Sequence, residues 1–235
     1  MSSMQWPASD RAEPEYDGLK QPSVAGHPPA PVIRRLGLVE FQPTCAAMRQ
    51  FTTSRRHDTP DELWVLQHPP LYSAGLATRQ RHLPRDSSIP LERTDRGGQI
   101  TYHGPGQVVI YALLDLARRD LKIRALVSLL EQAVIDTLAQ YRVSAQRKSG
   151  APGIYVNGAK IAALGLRVRT GGCYHGVALN VDMDLAPFLA IDPCGYPGLA
   201  VTQTRDLGIV ANVDELGDRL AANLTQHLAR HERNH

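Results

Sequence analysis

Three stretches of this chain carry residue types that can do chemistry. The first is Arg96-Gly97-Gly98-Gln99-Ile100-Thr101-Tyr102-His103-Gly104-Pro105-Gly106-Gln107, with four glycines in twelve residues. Glycine has no Cβ, so backbone N–H groups there can approach a ligand closely. The side chains of Arg96, Gln99, Thr101, Tyr102 and His103 are placed to line the same site. The composition equally fits a hairpin turn followed by a tight loop. It lacks the Gly-Lys-Ser/Thr ending of a nucleotide P-loop and the glycine spacing of a dinucleotide fingerprint. The second stretch, Asn157 to Gly165, sets Lys160 just past a turn, among small and apolar residues. On a solvated strand this is an ordinary surface lysine. Facing inward it is a buried ammonium with a lowered pKa, or a partner for an anion. The third, Ile191 to Gly198, displays Cys194 among two prolines and two glycines, outside any packed element. A loop cysteine near a lysine or histidine is a candidate nucleophile, because the thiolate is the reactive species.

The elements around these stretches read as strands and helices in alternation. Val32 to Phe41 reads as a strand and Pro43 to about Arg55 as a short helix. Glu62 to Gln67 is a buried strand. It runs into His68-Pro69-Pro70, where prolines exclude a central ladder, and then a second short strand at 71–75. Gln99–Tyr102 and Val108–Leu114 are strands around the His103-Gly104-Pro105-Gly106 loop. Ile123 to Tyr141 is the clearest helix, with Leu126, Leu129, Leu130, Ala133, Val134 and Leu138 on one face. Ile154–Val156 and Ile161–Val168 flank Asn157-Gly158, a type I′ hairpin signal. Val177–Val181 is another strand. Val213 to about Arg230 closes the chain as a helix striped by Leu216, Leu220, Leu224 and Leu228. The pattern predicts a single α/β (α+β) domain: a mixed β-sheet with helices packed on it.

Composition narrows the function classes. The chain has 235 residues, with 43% hydrophobic and 21% charged. That suits one soluble domain that needs no disulfide or metal to form a core. The net charge of +3 is too mild for a dedicated nucleic-acid binder. Cys45, Cys173 and Cys194 make an odd, irregularly spaced set, which points away from a secreted disulfide framework and toward a reducing compartment, the cytoplasm. No apolar run approaches a membrane span. Residues 1–31 hold six of the 17 prolines without apolar periodicity and read as a flexible extension ahead of a folded domain at 32–235. His227, His231 and His235 recur at four-residue intervals, but a frayed terminal helix explains them better than a metal site. Cys45 and Cys173 have no motif around them.

The three stretches, in this order, resemble the lipoyl(octanoyl) transferase family. His68-Pro69-Pro70 and Gly176-Val177-Ala178-Leu179-Asn180-Val181-Asp182 match the same pattern, and the likeness runs from about residue 34 to residue 207. The resemblance implies the α/β catalytic domain shared with biotin and lipoate protein ligases. It implies transfer of an octanoyl or lipoyl group from octanoyl-acyl carrier protein, with no cofactor and no ATP. The acceptors would be lipoyl domains of 2-oxoacid dehydrogenases and the glycine-cleavage H protein. By position, Cys194 would form the acyl-thioester and Lys160 would lower the pKa of its thiol. Substrate binding would map to Arg96, Gly97, Gly98, Gln99, Ile100, Thr101, Tyr102 and His103, to Ala163, Leu164 and Gly165, and to Gly176, Val177 and Ala178. Ala163 stands where many relatives have serine, which leaves only a backbone role there. Arg55, Arg56, Arg79, Arg81, Arg118, Arg119, Lys122 and Arg124 offer basic surface for acidic carriers, although a solvated face is the plainer reading of each. Three rivals stand beside this reading. One is an ATP-dependent ligase on the same fold. Another is a cysteine hydrolase pairing Cys194 with His103 or His175. The third is a silent acyl-protein-binding module.

Overall fold

The computed structural model describes residues 28–84, 88–192 and 198–233. Val32–Leu38 (β1), Glu62–Gln67 (β2), Gln107–Asp115 (β6), Gly172–Asn180 (β10), Ala159–Arg169 (β9), Ile154–Val156 (β8) and Gln146–Arg147 (β7) lie side by side in that order. β1 and β2 pair in parallel and the other neighbours are antiparallel, so the sheet is mixed. A smaller sheet orders Leu91–Arg93 (β4), Leu71–Ala74 (β3) and Ile100–His103 (β5). β6 reads Gln-Val-Val-Ile-Tyr-Ala-Leu-Leu-Asp, a nearly continuous apolar run that suits a strand covered on both faces.

Helices Ile123–Ala139 (α2) and Val213–Arg233 (α3) cover one face. Leu126, Leu130, Val134 and Leu138 of α2 meet Leu216, Leu220, Leu224 and Leu228 of α3 over Val108, Ile110 and Val177. Each fully buried side chain of this size contributes about 1.5–3 kcal/mol. Helix Phe41–Thr53 (α1) covers the other face, where Phe41, Cys45 and Met48 pack on Trp64, Tyr111, Leu113 and Tyr174. α3 starts where the Asn212 carboxamide oxygen accepts from the Glu215 backbone N–H at 2.9 Å. Its first turn is acidic (Asp214, Glu215) and its last turn basic (Arg230, Arg233), which complements the helix dipole.

The hairpin signal at Asn157-Gly158 is realised. Both residues have positive φ (51° and 83°), as a type I′ turn requires, and Val156 pairs with Ala159 across it. Other boundaries differ from the sequence reading. The first strand stops at Leu38, and Phe41 opens α1. The two strands around His103-Gly104-Pro105-Gly106 belong to different sheets. β10 starts at Gly172, five residues before Val177. β4 and β7 are short, and their polar residues hid them from pattern reading.

Three of the arginines nominated for carrier docking are committed elsewhere. Asp61 is fully buried and pairs with Arg55, Arg118 (2.7 Å) and Arg119. Arg119 also pairs with Glu232 and donates to the Pro29 carbonyl at 2.8 Å. Arg55, Arg118 and Arg119 thus tie the chain entry, β2 and the end of α3 together, whereas Arg56, Lys122 and Arg124 are exposed. Pro29 and the buried Pro31 lie within the stretch read as an extension. His227 holds Asp136 at 2.7 Å, and His235 lies outside the described residues. Among the described residues, no helix is long and apolar enough to cross a membrane.

Candidate active site

A cavity of about 320 Å³ opens where β5, β6, β9 and β10 meet, within the roughly 300–1,000 Å³ range of small-ligand sites. Its wall is largely apolar, with Phe41, Ile100, Val109, Leu164, Val177, Phe188 and Val201. Of the residues marked from sequence, Arg96, Gly98, Gln99, Ile100, Thr101, His103, Lys160, Ala163, Leu164, Gly165, Gly176, Val177 and Ala178 all line it. Gly97 sits just behind, its N–H donating to Leu166 O at 2.8 Å. Tyr102 stands apart: its ring packs on Tyr72 and Phe188 beside the smaller sheet. Cys194 lies outside the described residues, as do its neighbours at 193 and 195–197.

Lys160 faces inward. Only 4% of it is exposed, and its ammonium donates to Pro152 O at 2.8 Å. Its backbone is held from the other side: Lys160 N donates to Ala200 O at 2.8 Å and Thr202 N to Lys160 O at 2.9 Å. The segment that follows Cys194 in sequence is therefore paired with the start of β9. A Cβ on Gly165 would sit 2.8 Å from Gly97 O, so only glycine lets β9 pass this close to the Arg96–Gly98 loop.

A chain of buried hydrogen bonds runs beneath the cavity. Arg96 donates to the Ser73 hydroxyl (2.8 Å) and carbonyl (2.6 Å). Ser73 Oγ meets His103 Nε2 at 3.0 Å, and His103 Nδ1 meets Gln107 Oε1 at 2.7 Å. Gln107 Nε2 donates to Asn180 Oδ1 at 3.0 Å, and Asn180 Nδ2 donates to Thr202 O at 3.0 Å. Because the Gln107 amide nitrogen donates to Asn180 and Tyr102 O, its oxygen accepts, so His103 carries its proton on Nδ1. Ser73 then donates to Nε2. Arg96 and Lys160 are linked in this way through five intervening residues. Gln107 and Asn180 sit inside the sequence motifs but were not singled out there. Ser73 carries no sequence signal of its own.

Burial sets the charge states. Desolvation pushes His103 down to about 3 and His68 to about 4, so both are neutral. His103, with both ring nitrogens engaged, is no free base for a hydrolase. Burial also lowers His175, while its hydrogen bond, followed by that of Tyr174, holds Asp95 well below the usual carboxylate range. Cys45 and Cys173 are both pushed up to about 12 by burial, which makes them poor nucleophiles.

The lipoyl protein ligase A/B catalytic-domain family matches residues 42–225 of the chain. An octanoyltransferase of Dechloromonas aromatica is 59% identical over 198 residues, covering 84% of this chain and 97% of that protein. One from Aromatoleum aromaticum is 60% identical over 207 residues, covering 88% and 89%. Among solved structures, a lipoate-protein ligase A bound with ATP aligns with a TM-score of 0.71 at 17% identity, covering 85% of this chain and 86% of that one. A putative lipoate protein ligase from T. acidophilum with bound lipoic acid gives 0.70 at 17% identity, with the same coverage. At such identities the structures speak to the fold, and it is the mixed-sheet catalytic domain read from the sequence.

Proposed function

Because the chain belongs to the lipoyl protein ligase A/B catalytic-domain family and is an octanoyltransferase within it, we propose that it moves an octanoyl or lipoyl group from acyl carrier protein to a protein lysine through a thioester on Cys194. Lipoyl domains of 2-oxoacid dehydrogenases and the glycine-cleavage H protein are the acceptors, and the cytoplasm is the setting. The observation that carries this reading is the placement of Lys160. It is buried in the wall of an apolar cavity and bonded through its backbone to the segment that follows Cys194.

The chemistry balances without a nucleotide. The Cys194 thiolate attacks the carbonyl carbon of the carrier thioester. A new C–S bond forms, the carrier C–S bond breaks, and the carrier thiol leaves with a proton from Lys160. The acceptor amine then attacks the enzyme thioester. An amide forms, the Cys194 thiolate departs, and Lys160 takes the proton the amine sheds. An ammonium 4 Å from the thiolate at an effective dielectric of about 20 attracts it by about 4 kcal/mol before desolvation. Even a third of that moves a thiol pKa by about one unit. The cavity residues hold the acyl chain by burial, and the Arg96–His103 stretch forms part of that wall.

Intact mass spectrometry after incubation with octanoyl-acyl carrier protein, without ATP, tests the reading. The octanoyl adduct is expected in wild type, Cys45→Ala and Cys173→Ala, and is expected to be absent in Cys194→Ala. Lys160→Met keeps the stem and removes the charge, so it should slow acylation roughly ten-fold or more at pH 7. An adduct on Cys45 or Cys173 would overturn the assignment. A requirement for ATP and magnesium would favour the ligase reading.

A further inference from the structure

β10 contains an irregularity that the transfer chemistry does not use. His175 has φ +64°, the left-handed region, in the middle of a buried strand. For a side chain larger than glycine this is a strained conformation, and such strain concentrates where a site requires it. The β6–β10 ladder breaks there. Cys173 pairs with Leu114, pairing resumes at Gly176 with Tyr111, and the Cys173 thiol donates to the Ala112 carbonyl at 3.3 Å.

Consecutive strand residues normally point to opposite faces. The kink puts Tyr174 and His175 on one face, their rings 5.0 Å apart. Both reach a single carboxylate: the Tyr174 hydroxyl donates to Asp95, and His175 Nε2 lies 3.1 Å from its other oxygen. Asp95 directly precedes Arg96, Gly97 and Gly98, and Arg96 and Gly98 line the cavity. That loop is latched a second time at the same level, by Gly97 N to Leu166 O, and Leu166 is the register partner of His175. From Lys160 to Leu166 the strand advances six residues, about 20 Å at 3.3 Å each. Both Lys160 and His175 line the cavity, and their side chains reach into it from either end of that backbone span, so the space left between them is shorter than about 20 Å.

We propose that the Tyr174–Asp95–His175 clamp is the end wall of the acyl cavity and sets the longest acyl chain the enzyme accepts. This inference rests on the octanoyl-transfer reading of the cavity. A thioester carbonyl near Lys160 sends its tail along β9 and β10 toward His175. There the tail meets a polar, doubly latched wall instead of further apolar space. His175 is in these terms a specificity-determining residue, and Tyr174 and Asp95 are the positioning residues that hold it.

The experiment compares hexanoyl, octanoyl, decanoyl and dodecanoyl carrier thioesters as donors, and in parallel the thermal shift produced by the matching free fatty acids. His175→Gly relieves the backbone strain and removes the ring from the wall. The ratio of kcat/KM for decanoyl over octanoyl should rise roughly ten-fold or more, as expected for burying two further methylenes. The fatty-acid optimum should move to longer chains with it. Asp95→Asn leaves the ring in place but loosens the latch, and should broaden the length profile in both assays. A purely structural role would lower kcat/KM by one factor for all lengths. That result, or an unchanged optimum in both folded variants, overturns the proposal. If wild type transfers no acyl group, the function reading falls, and the fatty-acid series still decides whether His175 limits length.

Discussion

Lowering the pH from 7 to 5 should weaken this fold steeply, through two histidines the protein keeps dry and neutral. His68 donates to Val39 O at 2.7 Å and accepts from the Tyr111 hydroxyl at 2.8 Å. His103 lies 5.9 Å away, between Ser73 and Gln107. Desolvation depresses them to about 4 and about 3, against about 6.5 in the unfolded chain. Between those values the unfolded state binds more protons, so stability is fully present above about pH 6.5 and falls as pH drops. Each histidine contributes about 1.4 kcal/mol per pH unit, so the pair gives a slope of about 2.7 kcal/mol per unit. From pH 6.5 to 5 the loss is about 4 kcal/mol, a large part of the roughly 5–15 kcal/mol typical of a domain. The corresponding fall in Tm is roughly 8–16 °C for a chain of this size. His175, also lowered by burial, acts in the same direction. Glu62 and Asp95 are held low by their partners, so their contributions are lost only as pH falls through the ordinary carboxylate range, below this window. Urea unfolding at pH 7, 6 and 5 measures the slope, and His103→Gln should halve it. Stability that stays flat from pH 7 to 5, or a slope untouched by His103→Gln, would refute the reasoning.

Asp61→Asn removes the one carboxylate that Arg55, Arg118 and Arg119 share, and should destabilise the protein by about 3–5 kcal/mol in denaturant titration, since it leaves buried guanidinium charge uncompensated. A chain starting at residue 28 should keep the full transfer rate and Tm. One starting at Val32 loses the Pro29 carbonyl that accepts from Arg119, and should lose about 1–2 kcal/mol in the same titration.

Much of this protein is legible in one dimension, for identifiable reasons. β2 and β8 appear with the bounds expected, because an apolar run between breakers has a single interpretation. The stripes of α2 and α3 are buried as a 3.6-residue period demands. Most of the residues that the family resemblance marked in Arg96 to His103, Ala163 to Gly165 and Gly176 to Ala178 line the cavity, because each stretch lies on one strand or loop that borders it. What stayed hidden depends on partners distant in sequence. Nothing local in Arg55 or Arg119 says that Asp61 will take them out of solvent. The first half of β10 escaped because Gly172, Tyr174 and His175 carry no strand period, and the kink at His175 destroys alternation where the strand crosses the site. Tyr102 shared its motif with true wall residues, but strand alternation turned its ring toward Tyr72 and Phe188.

The burial of Cys45 and Cys173 has a practical side. At pH 7 a thiol with a pKa of about 12 is ionised to roughly one part in 10⁵, whereas one near 8.5 is ionised to a few per cent. Under alkylating conditions the two buried sulfurs are therefore slower by roughly three thousand-fold on ionisation alone, before their inaccessibility adds to the gap. In the native protein neither Cys45 nor Cys173 should therefore take up such a reagent at a useful rate. On the nucleophile role proposed above for Cys194, a fluorophore or spin label added to the native protein without replacing the other two cysteines should reach a stoichiometry of one, and intact mass spectrometry reads that number.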